Sequence, residues 1–350
     1  MPVNQDGFSK MQPFGIYTLA NDVVYDQLVA LLNSIEINLS QDIPVCIIPY
    51  DHQLEKIKQE VACRPNLTIF ECQSSIQYWE DFYRQVWNAH PKAHQKIQGH
   101  PKWYKKNNLF RKMCTFDGQF EKFVFYDADS LAMSPLDRVL DKLENYDFVF
   151  DDWEHKKPTP VASLNFSLIE NEISLSEEQV RSKIHCSSFF GSKIGVFGKD
   201  EREILKANLL ENQEYTWIND LSLWCDADLF NYMTLRCDRS LFNFTLSPNA
   251  QERTGNCANA DSFVNINNVL YNKDGLKPIH RLHYMSYPAS DFFRLSRGED
   301  VNILYKDEFL YYRFLKEPEQ RPKHLKSPSL ILKTNRLINK TLKKILISIL

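Results

Sequence analysis

No stretch of this 350-residue sequence is apolar over the length that a membrane-spanning helix requires. Its opening, MPVNQDGFSKMQPFG, lacks the basic start and apolar core of a secretion signal, so a cytoplasmic location is expected. The eight cysteines (46, 63, 72, 114, 186, 225, 237 and 257) form no C-x-x-C pair and have no histidine at ligand spacing. Neither a zinc site nor a disulfide framework is indicated, and reduced thiols are expected. Internal repeats are absent. Acidic residues are missing from 321–350, which holds eight Lys or Arg, so residues 1–320 carry 34 basic against 45 acidic groups. A body with that negative balance is no nucleic-acid partner on charge grounds.

What is present suits a large α/β fold. Hydrophobic residues make up 43% of the chain and aromatic residues 13%, enough for a substantial core. FGIYTLA (14–20) reads as a buried strand, Tyr25 to Ile37 as a helix burying Leu28, Leu31, Leu32 and Ile35, and IPVCIIP (43–49) as a second strand. A helix in DHQLEKIKQEVA and a strand at 67–70 continue the rhythm, which is that of a parallel sheet with crossover helices. Ligands of such sheets bind beyond the carboxyl ends of the strands, where Thr18, Asn21 and Asp51 fall.

Residues 71–103 give a weaker pattern; His90, His94 and His100 are read there as part of a solvated connection rather than a metal site. A helix is expected from Trp103 to Phe116, with Arg111 and Lys112 near its end. Strands are expected at 123–126 and 146–153, and two short ones around Gly191 in 186–198. Ser134 and Pro135 are placed as N-cap and first residue of the helix that carries SPLDRVL. Residues 154–182 read as helical in their second half. Residues 217–235 read as a helix or a turn entering one. The Asn-rich segment 249–275 is expected to be a mobile loop, and 278–288 a closing strand.

The chemistry concentrates in KFVFYDADSLAMSPLDRVL (122–140). A continuous apolar run, as in a strand covered on both faces, ends at Asp127 and Asp129. Where a strand breaks, two such carboxylates can converge on Mg²⁺ or Mn²⁺, which bridges diphosphate oxygens and offsets leaving-group charge. Spacing alone decides nothing: 24 Asp predict about 1.6 Asp-x-Asp pairs by chance, and two occur, at 127/129 and 226/228. The alternatives are an ordinary strand-end turn at the first pair and a solvated helix start at the second.

FVFYDADSL resembles the strand and Asp-Ala-Asp triplet of the GT-A-fold nucleotide-sugar glycosyltransferases, in particular glycosyltransferase family 8. Over its whole length the chain is also similar to a cyanobacterial sugar-transferase-like family, which brings no mechanism with it. The family resemblance implies a Rossmann-like, mostly parallel central sheet flanked by helices. It implies a Mn²⁺ or Mg²⁺ cofactor and a UDP-sugar donor on Asp127, Ala128 and Asp129, with Arg111 or Lys112 as the basic residue facing the donor. IYTLAND implicates Thr18, Ala20 and Asn21 in base and ribose contact. CSSFFGS (186–192) corresponds to the strand lining the sugar pocket. CDADLFN gives Asp226 and Asp228 as catalytic candidates with Asn231 beside them, although Ala227 replaces the family's Gln. His283 in HYMSYP corresponds to the third metal ligand, but Ser286 replaces a Gly and the Lys-Pro-Trp is missing. Arg281 or Arg294 would have to replace that lysine. The match is good over 14–140, loose to 290 and absent beyond.

The expected organisation is a transferase domain at 14–290, a helical extension at 291–320 and a basic amphipathic tail at 321–350. The tail suits contact with an anionic membrane surface, which would place the protein at a membrane's inner face. The acceptor is open among carbohydrate, lipid-linked and protein substrates, and retention of configuration is not implied; Asp152 or Asp220 is a spare carboxylate for a general base. Two other readings stand: a non-catalytic nucleotide-sugar binder, and a haloacid-dehalogenase-like phosphatase, which would want Thr or Val where Leu131 stands.

Overall fold

Aromatic and β-branched residues of Gln12–Ala20 form the first strand, β1, and only Gly15 lets the Phe120 ring lie against its backbone, since a Cβ there would meet that ring at 2.4 Å. The computed structural model describes residues 11–94, 107–219 and 224–328. After β1 come α1 (Tyr25–Asn38), β2 (Val45–Pro49), α2 (Glu55–Cys63), β3 (Leu67–Ile69) and α3 (Gln73–Ala89). A 3₁₀ segment, Asn107–Asp117, leads into β4 (Phe120–Asp127), then β5 (Ser130–Ala132), α4 (Asp137–Leu143) and β6 (Phe148–Phe150). Next are α5 (Phe166–Ile173), α6 (Glu177–Arg181), β7 (Phe189–Lys193), α7 (Lys199–Leu210), α8 (Asp226–Arg236) and β8 (Leu241–Asn243). β9 (Phe263–Ile266), β10 (Val269–Asn272), β11 (Lys277–Pro278), β12 (Arg281–His283), α9 (Ala289–Leu295) and α10 (Lys306–Arg313) complete the described chain.

The central sheet has seven strands in the order β3-β2-β1-β4-β7-β6-β8. Every neighbouring pair is parallel except the two made by β7, which alone runs backwards. Side chains alternate along the strands, so each sheet face has its own core. Ile16, Val45, Ile47, Val124 and Tyr126 pack with α1, α2 and α4. Tyr17, Cys46, Ile48, Phe123 and Phe125 pack with α3, the 3₁₀ segment and α8. The chain thus leaves β1 toward β2 and β3 over one face and returns to β4 on the other side of β1. That reversal opens a crevice at the carboxyl ends of β1 and β4. Because β7 is antiparallel, the turn before it reaches the same edge. Gly191 lets β7 fit there: its added Cβ would lie 2.9 Å from Val139 Cγ1. A third apolar cluster joins α9 and α10 to β5, β12 and Ala30 of α1.

The α/β architecture with a mostly parallel sheet flanked by helices is the one expected, but several local expectations fail. Residues 73–89 are a 17-residue helix whose Ile76, Trp79, Phe82, Tyr83, Val86 and Trp87 are buried. His90 is 1% exposed and stacked on Trp87, so it is core, not solvated connection. The helix expected at 103–116 is 3₁₀ where it is described. Ser134 caps nothing: α4 starts later, at Asp137 with Leu136 as N-cap, and the buried Ser134 Oγ has no hydrogen-bond partner. Residues 189–193 make one strand running through Gly191, not two around it. The expected mobile loop carries a three-stranded antiparallel sheet, its tight turn formed by Asn267 and Asn268 at φ of 54° and 66°. That two-residue turn with two positive φ angles is the hairpin form Asn tolerates best after Gly. No described helix is long and apolar enough to cross a membrane. The basic tail from residue 329 onward, Asp220, His100 and the side chain of His94 lie outside the described residues.

His185, just before β7, offers a test of the packing. It is 1% exposed, stacked on Phe150 at 3.9 Å between centroids, and burial pushes its pKa down to about 3 despite the Cys186 carbonyl. A base whose folded pKa lies below its unfolded value of about 6.5 takes up its proton on unfolding, so stability falls as pH drops from that value toward 3. The loss between pH 6.5 and 4.5 is about 2 kcal/mol from this residue. His185→Gln lowers stability at neutral pH by losing the Thr234 and Cys186 contacts. Its denaturant midpoint will nevertheless fall less steeply with acid than that of the unaltered protein; parallel pH curves would contradict the assignment.

Candidate metal and sugar site

β4 delivers Asp127 and Asp129 to the sheet edge, and β12 delivers His283 beside them. His283 is held by backbone on two sides: it pairs with Ser130 of β5, donates its N–H to Asn256 O at 2.7 Å and accepts from Ala258 N at 2.9 Å. Its Nε2 lies 3.4 Å from Asp129 Oδ1, and one ligand atom from each of the three residues lies within 4.8 Å of the others. The aspartate side chains are 28% and 27% exposed, leaving room for substrate oxygens on the open side. An imidazole and two carboxylates are a donor set for a borderline-hard divalent ion such as Mn²⁺, and less so for Ca²⁺. Burial raises Asp129, but the charge and hydrogen bond of His283 outweigh it and hold its pKa below the usual range. Asp127 goes the other way: burial and the charge of Asp129 together outweigh Lys112.

Lys112 joins this pair to Asp226. The lysine is 2% exposed, with Nζ 3.1 Å from Asp127 Oδ1 and 2.7 Å from Asp226 Oδ2. It also donates to Ser187 O at 3.2 Å and Ser187 Oγ at 3.3 Å. Ser187 Oγ in turn donates to Asp226 Oδ2 at 2.5 Å. Burial pulls the lysine's pKa down, yet Asp127 and then Asp226 outweigh it and hold the ammonium charged. Asp226 opens α8 and is 6% exposed; Asp228, in the same first turn, is 4% exposed. The solvated helix start is thereby excluded for both. Asp228 turns back to accept the Cys225 N–H at 2.6 Å, satisfying an orphan donor of the helix end. Burial pushes its pKa up to about 6. Asn231 is fully buried on His185 and Ala227 O and does not line the site.

At the ends of β1 and β2, Asn21 Nδ2 donates to Asp51 Oδ2 at 2.9 Å, while Asp51 Oδ1 accepts Gln53 N at 2.9 Å. This locks the two strand-end loops together. Ala20 is 1% exposed and Thr18, two residues short of the end, is fully buried, so neither side chain reaches an open face. Ala128 is 6% exposed between the two aspartates. Arg111 bridges Glu80 and Pro49 O on the neighbouring wall. Arg281 cannot replace a diphosphate-binding lysine: it is 1% exposed, 3.1 Å from Asp151 and 3.1 Å from Ser188 Oγ. Arg294 is tied to Asp291 and Glu299 at the outer surface.

Ser187, Ser188 and Asp151 were not among the candidate residues, although CSSFFGS marked the segment of the two serines, and Arg281 was named only as a replacement for the missing lysine. No family model matches the chain, and no curated protein matches it. Solved structures resemble it at low identity. The WbbM bifunctional glycosyltransferase is 13% identical with a TM-score of 0.49, over 90% of this chain and 52% of that one. The galactosyltransferase LgtC with donor and acceptor sugar analogs is 11% identical at 0.42, over 80% and 94%. Core-mannan synthase A from Aspergillus fumigatus, in its Mn/GDP form, is 11% identical at 0.38, over 66% and 72%. The chain therefore spans about half the length of WbbM. Likeness at this level assigns no function to the site.

Removing one partner of a buried ion pair leaves the others' charge uncompensated. Lys112→Met keeps an unbranched apolar stem, one atom shorter, but strands Asp226 and part-exposed Asp127. It will cost about 3 kcal/mol, toward the low end for such pairs because Asp127 meets solvent. Urea unfolding checks this, and Asp226→Asn, which leaves Lys112 paired with Asp127, will cost less.

Proposed function

We propose that the chain is a metal-dependent glycosyltransferase of the GT-A type, transferring a sugar from a nucleotide-diphosphate donor, a UDP-sugar, to a hydroxyl acceptor. The observation that carries this is the convergence of Asp127, Asp129 and His283 in the crevice at the carboxyl ends of β1 and β4, with Asp226 joined to them through Lys112. Those three residues would hold Mn²⁺ or Mg²⁺, which supplies charge neutralisation to the leaving diphosphate.

The remaining roles fall to the chain's own groups. The Asn21–Asp51 loop pair at the ends of β1 and β2 receives the nucleoside, one strand away from the carboxylates. Lys112 holds Asp226 in place, so that its carboxylate faces the transferred sugar, accepting a hydrogen bond from a sugar hydroxyl or stabilising developing positive charge. Asp228, committed to the helix end, supports Asp226 rather than meeting substrate. Ala227 stands where the family resembled has a Gln. That favours, as the second reading, a nucleotide-sugar binder without turnover; release of nucleoside diphosphate separates the two. The phosphatase reading has only the Asp-x-Asp spacing behind it, since Leu131 stands where that family wants Thr or Val.

A ligand that binds only the folded state raises the thermal midpoint, by about 2.7 kcal/mol of stability at a hundred times its Kd. UDP with Mn²⁺ will raise it, chelator will abolish the rise, and Asp129→Ala will not respond. GDP, ADP and CDP serve as comparisons. A rise with GDP in place of UDP would correct the donor, and a flat response to all four would overturn the reading.

A further inference from the structure

We propose that Asp152 is a positioning residue: its carboxylate sets the Cys186–Ser188 turn and, through Ser187, fixes Asp226 against Lys112 and Asp127. The functional part of this rests on the nucleotide-sugar reading above; the structural part does not.

Asp152 stands just past the carboxyl end of β6, beside the turn that enters the reversed strand β7. The ladder between β4 and β7 begins at Phe189, so the amides ahead of it need other partners. Asp152 Oδ2 accepts the Cys186 N–H at 2.8 Å. Its other oxygen accepts the Glu154 N–H at 3.0 Å. Its own carbonyl accepts Asn243 Nδ2 at 3.0 Å, which ties the residue to the end of β8. The residue is 4% exposed. One residue earlier, Asp151 reaches the same turn indirectly, through Arg281 to Ser188 Oγ. Ser188 O then accepts the Asp127 N–H at 2.8 Å. Two adjacent carboxylates at the end of one strand thus hold the first and third residues of the turn. The second residue, Ser187, is left to join Lys112 and Asp226.

This assignment displaces the role of general base for Asp152. Both of its oxygens already accept backbone N–H groups within the protein. A carboxylate used this way acts on geometry: a shift of the turn moves Ser187 Oγ off Asp226 Oδ2, and misplacement of a reacting group by about 1 Å can cost 100-fold in rate.

Asp152→Asn tests it, because an amide oxygen can accept one of the two N–H groups but its NH₂ opposes the other. Hydrogen exchange measured on the peptide spanning 184–190 will be faster in the variant. With the nucleotide-sugar whose diphosphate stabilises the protein, release of that diphosphate will fall roughly 10- to 100-fold in kcat. KM for the donor and the midpoint rise with Mn²⁺ and nucleotide will stay as in the unaltered protein. Ser187→Ala will show the same loss of kcat without faster exchange at Cys186. Unchanged exchange in Asp152→Asn overturns the brace, and faster exchange with unchanged kcat overturns its functional part. If the unaltered protein gains no stability from any nucleotide, the nucleotide-sugar reading falls, while the exchange measurement still decides the brace.

Discussion

A lysine ammonium enclosed at 2% exposure must be matched by negative charge, and the way Lys112 is matched organises everything around it. Asp127 comes from the end of a strand and Asp226 from the start of a helix 99 residues later, and neither would be held so close to the other without the cation between them. The immediate site then contains three carboxylates, Asp127, Asp129 and Asp226, against one lysine and the imidazole of His283. The carboxylates outnumber the lysine by two, and Asp127 and Asp129 meet the open side of the crevice. A divalent cation is the partner that such an excess calls for. The buried Asp151–Arg281 pair beneath it balances internally and adds nothing to that count.

The reversed strand explains how so many distant segments meet. Parallel strands offer only their carboxyl ends to this edge, and those ends supply Asn21, Asp51, Asp127 and Asp152. β7 offers its amino end instead, so the turn carrying Ser187 and Ser188 faces the same crevice. Gly191 is the local condition for this, since Val139 and Val149 close over the middle of β7 where a side chain would stand.

Legibility in the sequence followed the range of the forces. The run FVFY before Asp127 announced a buried strand because burial on both faces demands continuous apolar residues. The early strand-helix rhythm was legible for the same reason. The helix over Gln73–Ala89 was less so: its buried face is built from Trp79, Phe82, Tyr83 and Trp87, spaced among polar residues and abutting a polar, histidine-bearing segment. The 263–278 sheet was hidden by its own turn chemistry, because Asn267 and Asn268 belong equally to loops and to tight hairpins. In the site, Asp127 and Asp129 were legible from the strand that breaks at them, whereas His283 came from resemblance alone. The Asp152–Cys186 and Lys112–Ser187 contacts span 34 and 75 residues and leave no periodic trace in the chain.

The two acids of the second Asp-x-Asp pair show why a motif alone does not distribute roles. Two residues apart on a helix, they point about 200° apart around its axis. Asp228 lies at the third helical position, where a carboxylate can curl back to the N-cap amide, and it does so at Cys225. Asp226 lies at the first position, where no such bond is within reach, and its carboxylate is left to Lys112 and Ser187. The helix end thus consumes one acid and presents the other. Asp226 shares Lys112 with Asp127, so a change of charge at Asp127 reaches it through a single buried ammonium, whereas the carboxylate of Asp228 is spent on the N-cap amide.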